Sequence, residues 1–280
     1  MRDTQMNDSL FASFAEHAHK LSGITIKSQR RTMLEGRLKR RLRALELPGY
    51  KEYLDYIKVH QTEHEFFINA ITTNETYFYR TPRVWNYIND EFLPQWLNGH
   101  SGQTLRVWSA ASSTGEEAHT LGIILESFKS ANPEFRYQIK GTDIDSSVVN
   151  TANLGIYNGR SIQRFREARP DLFSRYMIGN DETGYNVVPQ IKSCMNFSIF
   201  NLFDRANEAA FDLILIRNVL IYFVRDDQIK VMSQVHRGLK NDGVAIIGES
   251  ETLNNVCSDF QQIMPTIYRK PGSCKTQKAA

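Results

Sequence analysis

The sequence predicts an α/β protein built on a doubly wound parallel sheet and preceded by an all-α domain. From Leu105 onward, strand patterns alternate with helix patterns, which is typical of a sheet with right-handed helical crossovers. The stretch "FDLILI" is continuously apolar, as expected for a strand covered on both faces. Before residue 70, apolar residues recur every three or four positions, which indicates helices.

Composition limits the classes to which the chain can belong. It has 280 residues, 41% hydrophobic and 23% charged, with a net charge of +3. It has no apolar run of 18 residues, and its first 20 residues are too polar for a secretory signal, so we expect a soluble cytoplasmic protein. The three cysteines are scattered and match no metal-ligand spacing, so we expect no metal.

The basic residues are concentrated near the amino terminus. Residues 1–60 hold 12 Lys/Arg and 7 Asp/Glu, whereas the remainder holds 22 and 24. In "KSQRRTMLEGRLKRRLR" the helical pattern places Arg30, Arg37 and Arg41 beside a leucine stripe. A solvated charged face is one interpretation. The other is a surface that binds an acidic substrate, which is favoured because charges of one sign cannot pair within their own helix.

The pattern predicts three parts and one insertion. Residues 1–70 form the helical domain, 71–104 a linker with a connecting helix, and 105–280 the α/β domain. Residues 172–199 contain β-branched runs separated by "GNDETG", which predict a small antiparallel β insertion. The linker segment "ITTNETYFYRTP" is unusual because it carries three aromatics beside an arginine. Its aromatics are expected to lie in a core between the domains.

Two of the predicted strand ends indicate a ligand site. The loop "WSAASSTGEEAH" follows the first strand but contains only Gly115, so it makes a poor phosphate cradle. Glu116 and Glu117 would repel phosphate, and S-adenosylmethionine, a sulfonium without phosphates, fits better. Asp143 ends the second strand and can accept hydrogen bonds from ribose hydroxyls. Alternatively, Asp143 or Asp145 caps the next helix, which is the preferred interpretation for Asp145.

A third strand end supplies candidate substrate contacts. In "IRNVLIYF", Arg217 and Asn218 directly follow a buried strand, and Tyr222 lies in an otherwise apolar run. Arg217 could instead be an ion-pair partner, and Tyr222 a core residue. The stretch lacks the acidic or amide residue followed by Pro-Pro and an aromatic that many amino-group methyltransferases carry, which argues against a nucleobase amine as methyl acceptor.

Taken together, these segments resemble the chemotaxis receptor glutamate methyltransferases over nearly the whole chain. Five motifs recur in that family's order: "TTNETYFYR", "RVWSAASSTGEEAHTL", "TDID…A..G.Y", "RNVLIYF" and "GESETL". The sequence departs from the family pattern at four places. Tyr79 replaces Phe, Ala118-His119 replaces Pro-Tyr, Ile216 replaces Cys, and Glu249 replaces His.

The resemblance implies a Rossmann-like class I methyltransferase domain that binds S-adenosylmethionine and releases S-adenosylhomocysteine. It also implies methylation of glutamates in the cytoplasmic helical bundle of chemoreceptors. We expect a monomer, recruited to receptor arrays, with no nucleic-acid partner and no membrane insertion. In some members of the family, a β subdomain at the position of residues 172–199 binds a receptor carboxyl-terminal pentapeptide, but "IGNDETGYN" lacks the glycine pattern of those members.

By position, the resemblance implies these cofactor-binding residues: Asn74, Thr76, Arg80, Glu117, Asp143, Asn201, Leu202, Arg217 and Asn218.

Roles in catalysis and substrate binding follow from this resemblance and from charge. Arg80 and Tyr222 are the candidates for orienting the reacting groups. Arg30, Arg37 and Arg41 are the candidates for receptor binding. Two other functions stay open: an RNA or small-molecule methyltransferase on the same fold, which the basic helix favours, and a module that binds receptors or cofactor without turnover.

Overall fold

The amino-terminal region is a bundle of four helices. The computed structural model describes residues 6–254, 256 and 259–272. The helices are α1 (Asp8–Ser22), α2 (Arg31–Ala44), α3 (Tyr50–Val59) and α4 (Thr62–Ile71). Asn7 caps α1 by accepting a hydrogen bond from the Leu10 amide, and Gly23 ends it with a φ of 71°. The predicted periodicity is confirmed, because Phe14, Leu34 and Phe67 meet in one buried cluster.

Two short helices lead from this bundle to the sheet. Helix α5 (Pro82–Tyr87) and helix α6 (Leu93–Gly99) are joined by the π-helical turn Ile88–Phe92. Trp85 and Trp96 from these helices are buried in the core of the α/β domain. The connecting segment therefore packs as part of that domain.

Alternating helices and strands then build the α/β domain, whose fold class is confirmed. In chain order its elements are β1 (Thr104–Ala110), α7 (Glu116–Ala131), β2 (Arg136–Asp143), α8 (Ser146–Leu154), α9 (Arg160–Ala168), α10 (Pro170–Tyr176), β3 (Met177–Asn180), β4 (Gly184–Val187), α11 (Pro189–Lys192), β5 (Met195–Ile199), β6 (Phe211–Ile216), α12 (Arg225–Gly238), β7 (Leu239–Ile247), β8 (Gln261–Met264) and β9 (Ile267–Arg269).

The large sheet has seven strands in the order β5-β2-β1-β6-β7-β9-β8. The first five of these are parallel, and β9 and β8 extend the sheet antiparallel. The chain moves outward on one side from β1 to β2 and β5, then returns to β6 on the other side. The switch point therefore lies between β1 and β6, where ligands of such sheets bind.

The predicted β insertion is smaller than expected. Only β3 and β4 form the separate antiparallel pair, which we call the hairpin (residues 177–187). Strand β5 pairs in parallel with β2 in the large sheet, and residues 170–176 are helical. The β-branched pattern of a short strand does not reveal its partner, which explains the error. Helix α12 ends at Gly238, and strand β7 begins directly after it at Leu239.

None of the helices among the described residues is both long and apolar enough to cross a membrane. No group of three or more His, Cys, Asp or Glu side chains among these residues is placed to hold a metal ion. Cys194 is a free thiol, while Cys257 and Cys274 lie outside the described residues.

Candidate active site

A cavity of about 1000 Å³ opens at the carboxyl ends of β1, β2 and β6. Its walls come from those strand ends, from the segment after α4 and from the start of α2. The cavity brings together all nine residues predicted to bind the cofactor: Asn74, Thr76, Arg80, Glu117, Asp143, Asn201, Leu202, Arg217 and Asn218. Arg30 and Tyr222 also line it. Arg37 and Arg41 do not belong to its lining.

The loop between β1 and α7 forms the floor of the cavity. Ala111, Ser113 and Gly115 all have positive φ values, of 63°, 50° and 95°. The loop is held by the Ser112 amide, which donates to the Thr142 carbonyl at 2.8 Å. Ser112 lines the cavity, but its hydroxyl is buried and has no hydrogen-bond partner among the described residues. The hydroxyl therefore presents almost no surface to the cavity.

Asp143 is fixed at the end of β2 by backbone amides. Its carboxylate accepts from the Ser113 amide at 2.8 Å and from the Asp145 amide at 3.1 Å. Burial raises the pKa of the Asp143 carboxyl, although the amides oppose this. The capping interpretation is wrong for Asp143 and confirmed for Asp145, whose side chain caps α8 by accepting from the Ser147 and Val148 amides. Asp143 thus faces the cavity.

The segment 71–82 crosses the cavity and anchors itself on both sides. The Asn74 amide group donates to the Asp145 carboxylate at 2.7 Å, and the Asn74 carbonyl accepts from the Ser113 hydroxyl at 3.0 Å. Phe78 and Tyr79 are buried in the core of the α/β domain rather than between domains, which corrects the prediction for the aromatics. Tyr77 instead lines the cavity. The aromatics therefore clamp this segment over the sheet.

Arg217 and Glu117 form a buried ion pair inside the cavity. Their side chains are 2% and 13% exposed, and Arg217 Nη1 lies 2.9 Å from Glu117 Oε2. The other Glu117 oxygen accepts from the Ser109 hydroxyl at 2.8 Å. Arg217 also donates to the Arg80 carbonyl at 3.3 Å. The ion-pair interpretation of Arg217 is confirmed, and the pair ties the segment 71–82 to the sheet.

The remaining two arginines of the cavity have no carboxylate partner among the described residues. The Arg80 guanidinium donates to the Glu75 carbonyl at 3.2 Å and lies 5.7 Å from the Tyr77 ring centre. The Arg30 guanidinium donates to the Thr73 hydroxyl at 3.3 Å and lies 5.1 Å from the Tyr222 ring centre. Both positive charges are thus free to attract an anion.

Helix α2 directs two of its predicted receptor-binding arginines inward. Arg37 Nη1 donates to the Ala70 and Thr72 carbonyls at the end of α4. Arg41 forms a two-pronged ion pair with Glu63, with distances of 2.8 and 2.7 Å, and Glu63 is only 4% exposed. Arg41 has no ion-pair partner within α2 among the described residues, as expected, but a carboxylate of α4 pairs with it. These contacts do not test receptor binding by Arg37 and Arg41, but they favour a structural role for both.

Glu251 does not line the cavity but holds the lining residue Asn218 in place, a role that the sequence did not reveal. Its buried carboxylate accepts hydrogen bonds from the Asn218, Leu220 and Gly248 amides, and so shapes the turn after β6. Burial raises the pKa of the Glu251 carboxyl, against the effect of these amides. The signal was present in "GESETL", but a motif alone does not say which amides its carboxylate binds.

Comparison with known proteins identifies the family. Residues 74–269 match the CheR methyltransferase SAM binding domain, and residues 9–72 match the CheR methyltransferase all-alpha domain. This chain belongs to the CheR methyltransferase family. The predicted resemblance is confirmed, and S-adenosylmethionine is the cofactor that this family's domain binds.

Curated relatives agree over most of their length. The chain is 32% identical over 270 residues to the chemotaxis protein methyltransferase of Salmonella typhimurium, covering 94% of this chain and 90% of the relative. It is 30% identical over 270 residues to chemotaxis protein methyltransferase 1 of Pseudomonas aeruginosa, covering 92% and 97%. A CheR-type match thus extends across both the helical domain and the sheet.

The residues in the cavity fit S-adenosylmethionine. The Asp143 carboxylate provides hydrogen-bond acceptors for a ribose. The volume is at the upper end of the usual range for small-ligand sites, roughly 300–1000 Å³. The loop offers few free amides to a phosphate, because the Ser112, Ser113 and Gly115 amides are all bonded within the protein. The geometry therefore favours a nucleoside ligand without phosphates.

Proposed function

We propose that this chain transfers the methyl group of S-adenosylmethionine to side-chain carboxylates of glutamates in the cytoplasmic helical bundle of chemoreceptors. The observation that carries the proposal is the charge of the cavity. Arg30 and Arg80 line it and have no carboxylate partner among the described residues. The acids of the lining, Glu75, Glu117 and Asp143, form no ion pair with these two arginines, so an anionic methyl acceptor would pair with them.

The strand ends hold the cofactor in this proposal. Asp143 accepts hydrogen bonds from the ribose. Asn74, Thr76, Asn201, Leu202 and Asn218 surround the remainder, while the Glu117–Arg217 pair offers one charge of each sign to the amino-acid end. When bound, the cofactor supplies a methyl group activated by its sulfonium.

The protein's part in the reaction is orientation rather than proton transfer. A glutamate has a pKa of about 4.3 and is already ionised at pH 7, so it needs no general base. Arg80 and the Tyr222 hydroxyl orient the carboxylate, and the segment 71–82 keeps water from it. Arg30 attracts the acidic helix to the mouth of the cavity. The enzyme thus acts on receptors from the cytoplasm, at receptor arrays.

Radiolabelled methyl transfer tests the proposal. The protein is incubated with methyl-labelled S-adenosylmethionine and either receptor-containing membranes or total RNA. We expect label in the receptor that mild base releases as methanol, since glutamyl methyl esters are base-labile. Arg80→Ala serves as the low-activity control. Label in RNA, base-stable label in protein, or no label in either would overturn the proposal.

A further inference from the structure

The floor of the cofactor cavity adopts a backbone conformation that its own residues disfavour. Two of the three positive φ values in the loop 111–115 belong to Ala111 and Ser113, and side chains with a Cβ rarely adopt this region. Such a conformation persists only where the surrounding structure fixes it. Contacts from Thr142 and Asp143 hold the first half of the loop. The second half is held by two aromatic side chains that do not line the cavity.

These two side chains are Tyr157 and His119, and both are buried, at 4% and 1% exposure. The Tyr157 hydroxyl donates to the Thr114 carbonyl at 2.7 Å. His119 Nδ1 lies 2.9 Å from the Gly115 carbonyl and 2.9 Å from the Tyr157 hydroxyl oxygen. With the tyrosine proton directed to Thr114, an Nδ1 proton on the imidazole can be donated to the Gly115 carbonyl or to the tyrosine oxygen. Two consecutive carbonyls of the loop are thus bonded.

The packing around these groups is close. A Cβ atom on Gly115 would lie 2.8 Å from the Tyr157 hydroxyl oxygen and 3.1 Å from His119 Nδ1. Phe78 adds an edge-on contact to the Tyr157 ring at 4.8 Å between centroids, and Phe197 stacks on the His119 ring at 5.3 Å. The loop therefore has little room to move while both side chains are in place.

Tyr157 is also bonded to the hairpin. Its amide donates to the Tyr185 carbonyl at 2.9 Å, and its carbonyl accepts from the Tyr185 amide at 2.8 Å. Tyr185 belongs to β4. One residue thus joins the hairpin through its backbone and the cofactor loop through its hydroxyl.

We propose that Tyr157 and His119 are positioning residues that hold the loop 111–115 in its cofactor-binding conformation and couple it to the hairpin. Neither touches the cavity, so they act through the loop. Their removal should loosen the loop and weaken cofactor binding, while the orientation of the methyl acceptor by Arg80 and Tyr222 is retained.

Tyr157→Phe tests this with the loss of one hydroxyl. The matched control is Tyr137→Phe. Tyr137 is also buried, at 3%, and its hydroxyl donates to Glu126 at 2.8 Å. Tyr137 lies near the start of β2, at the end of the sheet opposite the cavity. Calorimetric titration with S-adenosylhomocysteine should show affinity about five- to tenfold weaker for Tyr157→Phe, as expected for one lost hydrogen bond, and within twofold of wild type for Tyr137→Phe. KM for S-adenosylmethionine should rise in parallel, with kcat reduced less than threefold.

Two further readouts separate positioning from general stability. Amide hydrogen exchange in residues 110–118 should accelerate in Tyr157→Phe and not in Tyr137→Phe. His119→Gln, which keeps an N–H donor, should bind S-adenosylhomocysteine more tightly than His119→Leu. Folded Tyr157→Phe with wild-type affinity and wild-type exchange in the loop would overturn the proposal, as would equal effects of Tyr157→Phe and Tyr137→Phe.

Discussion

The arginines of the strand-end cavity and the arginines of helix α2 have the same charge but different surroundings. Arg80 lines the cavity and has no carboxylate partner in the part of the chain that the structure describes, whereas Arg41 is held by Glu63 and covers the Phe66 ring at 4.0 Å. Arg30, at the start of α2, belongs with the cavity. A basic stretch in a sequence can therefore contain both ligand-attracting and structural cations, and only the partners of each side chain distinguish them.

The largest expected effect is on stability, at Arg41. Arg41→Ala leaves the buried Glu63 carboxylate with the Tyr53 hydroxyl as its one side-chain donor among the described residues, and should lower the free energy of unfolding by about 3–5 kcal/mol. Chemical denaturation measures this, with Arg40→Ala as the exposed neighbour for comparison. Equal stability of the two variants would show that the Arg41 pair contributes nothing and would remove the distinction between the two groups of arginines.

The next effect is on turnover, at the cavity. Arg80→Ala and Tyr222→Phe should lower kcat about 100-fold, because loss of orientation commonly costs that much. Affinity for S-adenosylhomocysteine should change less than fivefold in Tyr222→Phe. Initial rates with receptor substrate measure kcat, and calorimetry measures the affinity for S-adenosylhomocysteine. A folded variant with normal kcat would show that the replaced side chain does not orient the reacting groups.

Cofactor affinity should respond somewhat less strongly. Asp143→Ala removes a charge-assisted hydrogen bond worth roughly 1.5–3 kcal/mol, so S-adenosylmethionine should bind about 10- to 100-fold more weakly. Asp181→Ala, an exposed acid in the turn of the hairpin, is the control. Unchanged affinity in calorimetry would exclude Asp143 from the site.

The sequence predicted the cavity better than the helix surface for a physical reason. Parallel strands bring their carboxyl ends to one edge, so Asp143 and Arg217 were expected to converge before any contact was known. The partner of Arg41, by contrast, lies 22 residues away on another helix, and no periodicity reveals it. The parallel pairing of β5 was missed for the same reason. The support of the loop by Tyr157 also depends on side chains from separate elements.

The smallest expected effect is the pH dependence of stability at His119, a side chain that is neutral where the arginines are charged. Burial lowers the pKa of His119 to about 4 from 6.5, so the folded state holds the neutral imidazole. The unfolded chain therefore binds a proton first as pH falls. The contribution of neutral His119 to the free energy of unfolding is complete above pH 6.5 and is lost progressively toward pH 4. At pH 5.5 this contribution should be about 1.4 kcal/mol smaller than at pH 8.

Denaturation of His119→Gln and wild type across this pH range checks the sign. Wild type should lose about 1.4 kcal/mol more than the variant between pH 8 and pH 5.5. If the free energies of unfolding of the two proteins changed with pH in parallel, the buried neutral state of His119 would be contradicted.

The most direct test of the division between the two groups of arginines compares Arg30→Ala with Arg41→Ala. Each variant is assayed for its free energy of unfolding and for its receptor kcat/KM per folded molecule. We expect opposite outcomes for the two variants. Arg30→Ala should unfold within about 0.5 kcal/mol of wild type but lose about tenfold in kcat/KM, with the wild-type rate falling as salt screens the attraction. Arg41→Ala should lose stability and keep its kcat/KM. If Arg41→Ala instead lost kcat/KM with full stability, or Arg30→Ala left kcat/KM unchanged, the division between the two groups of arginines would be contradicted.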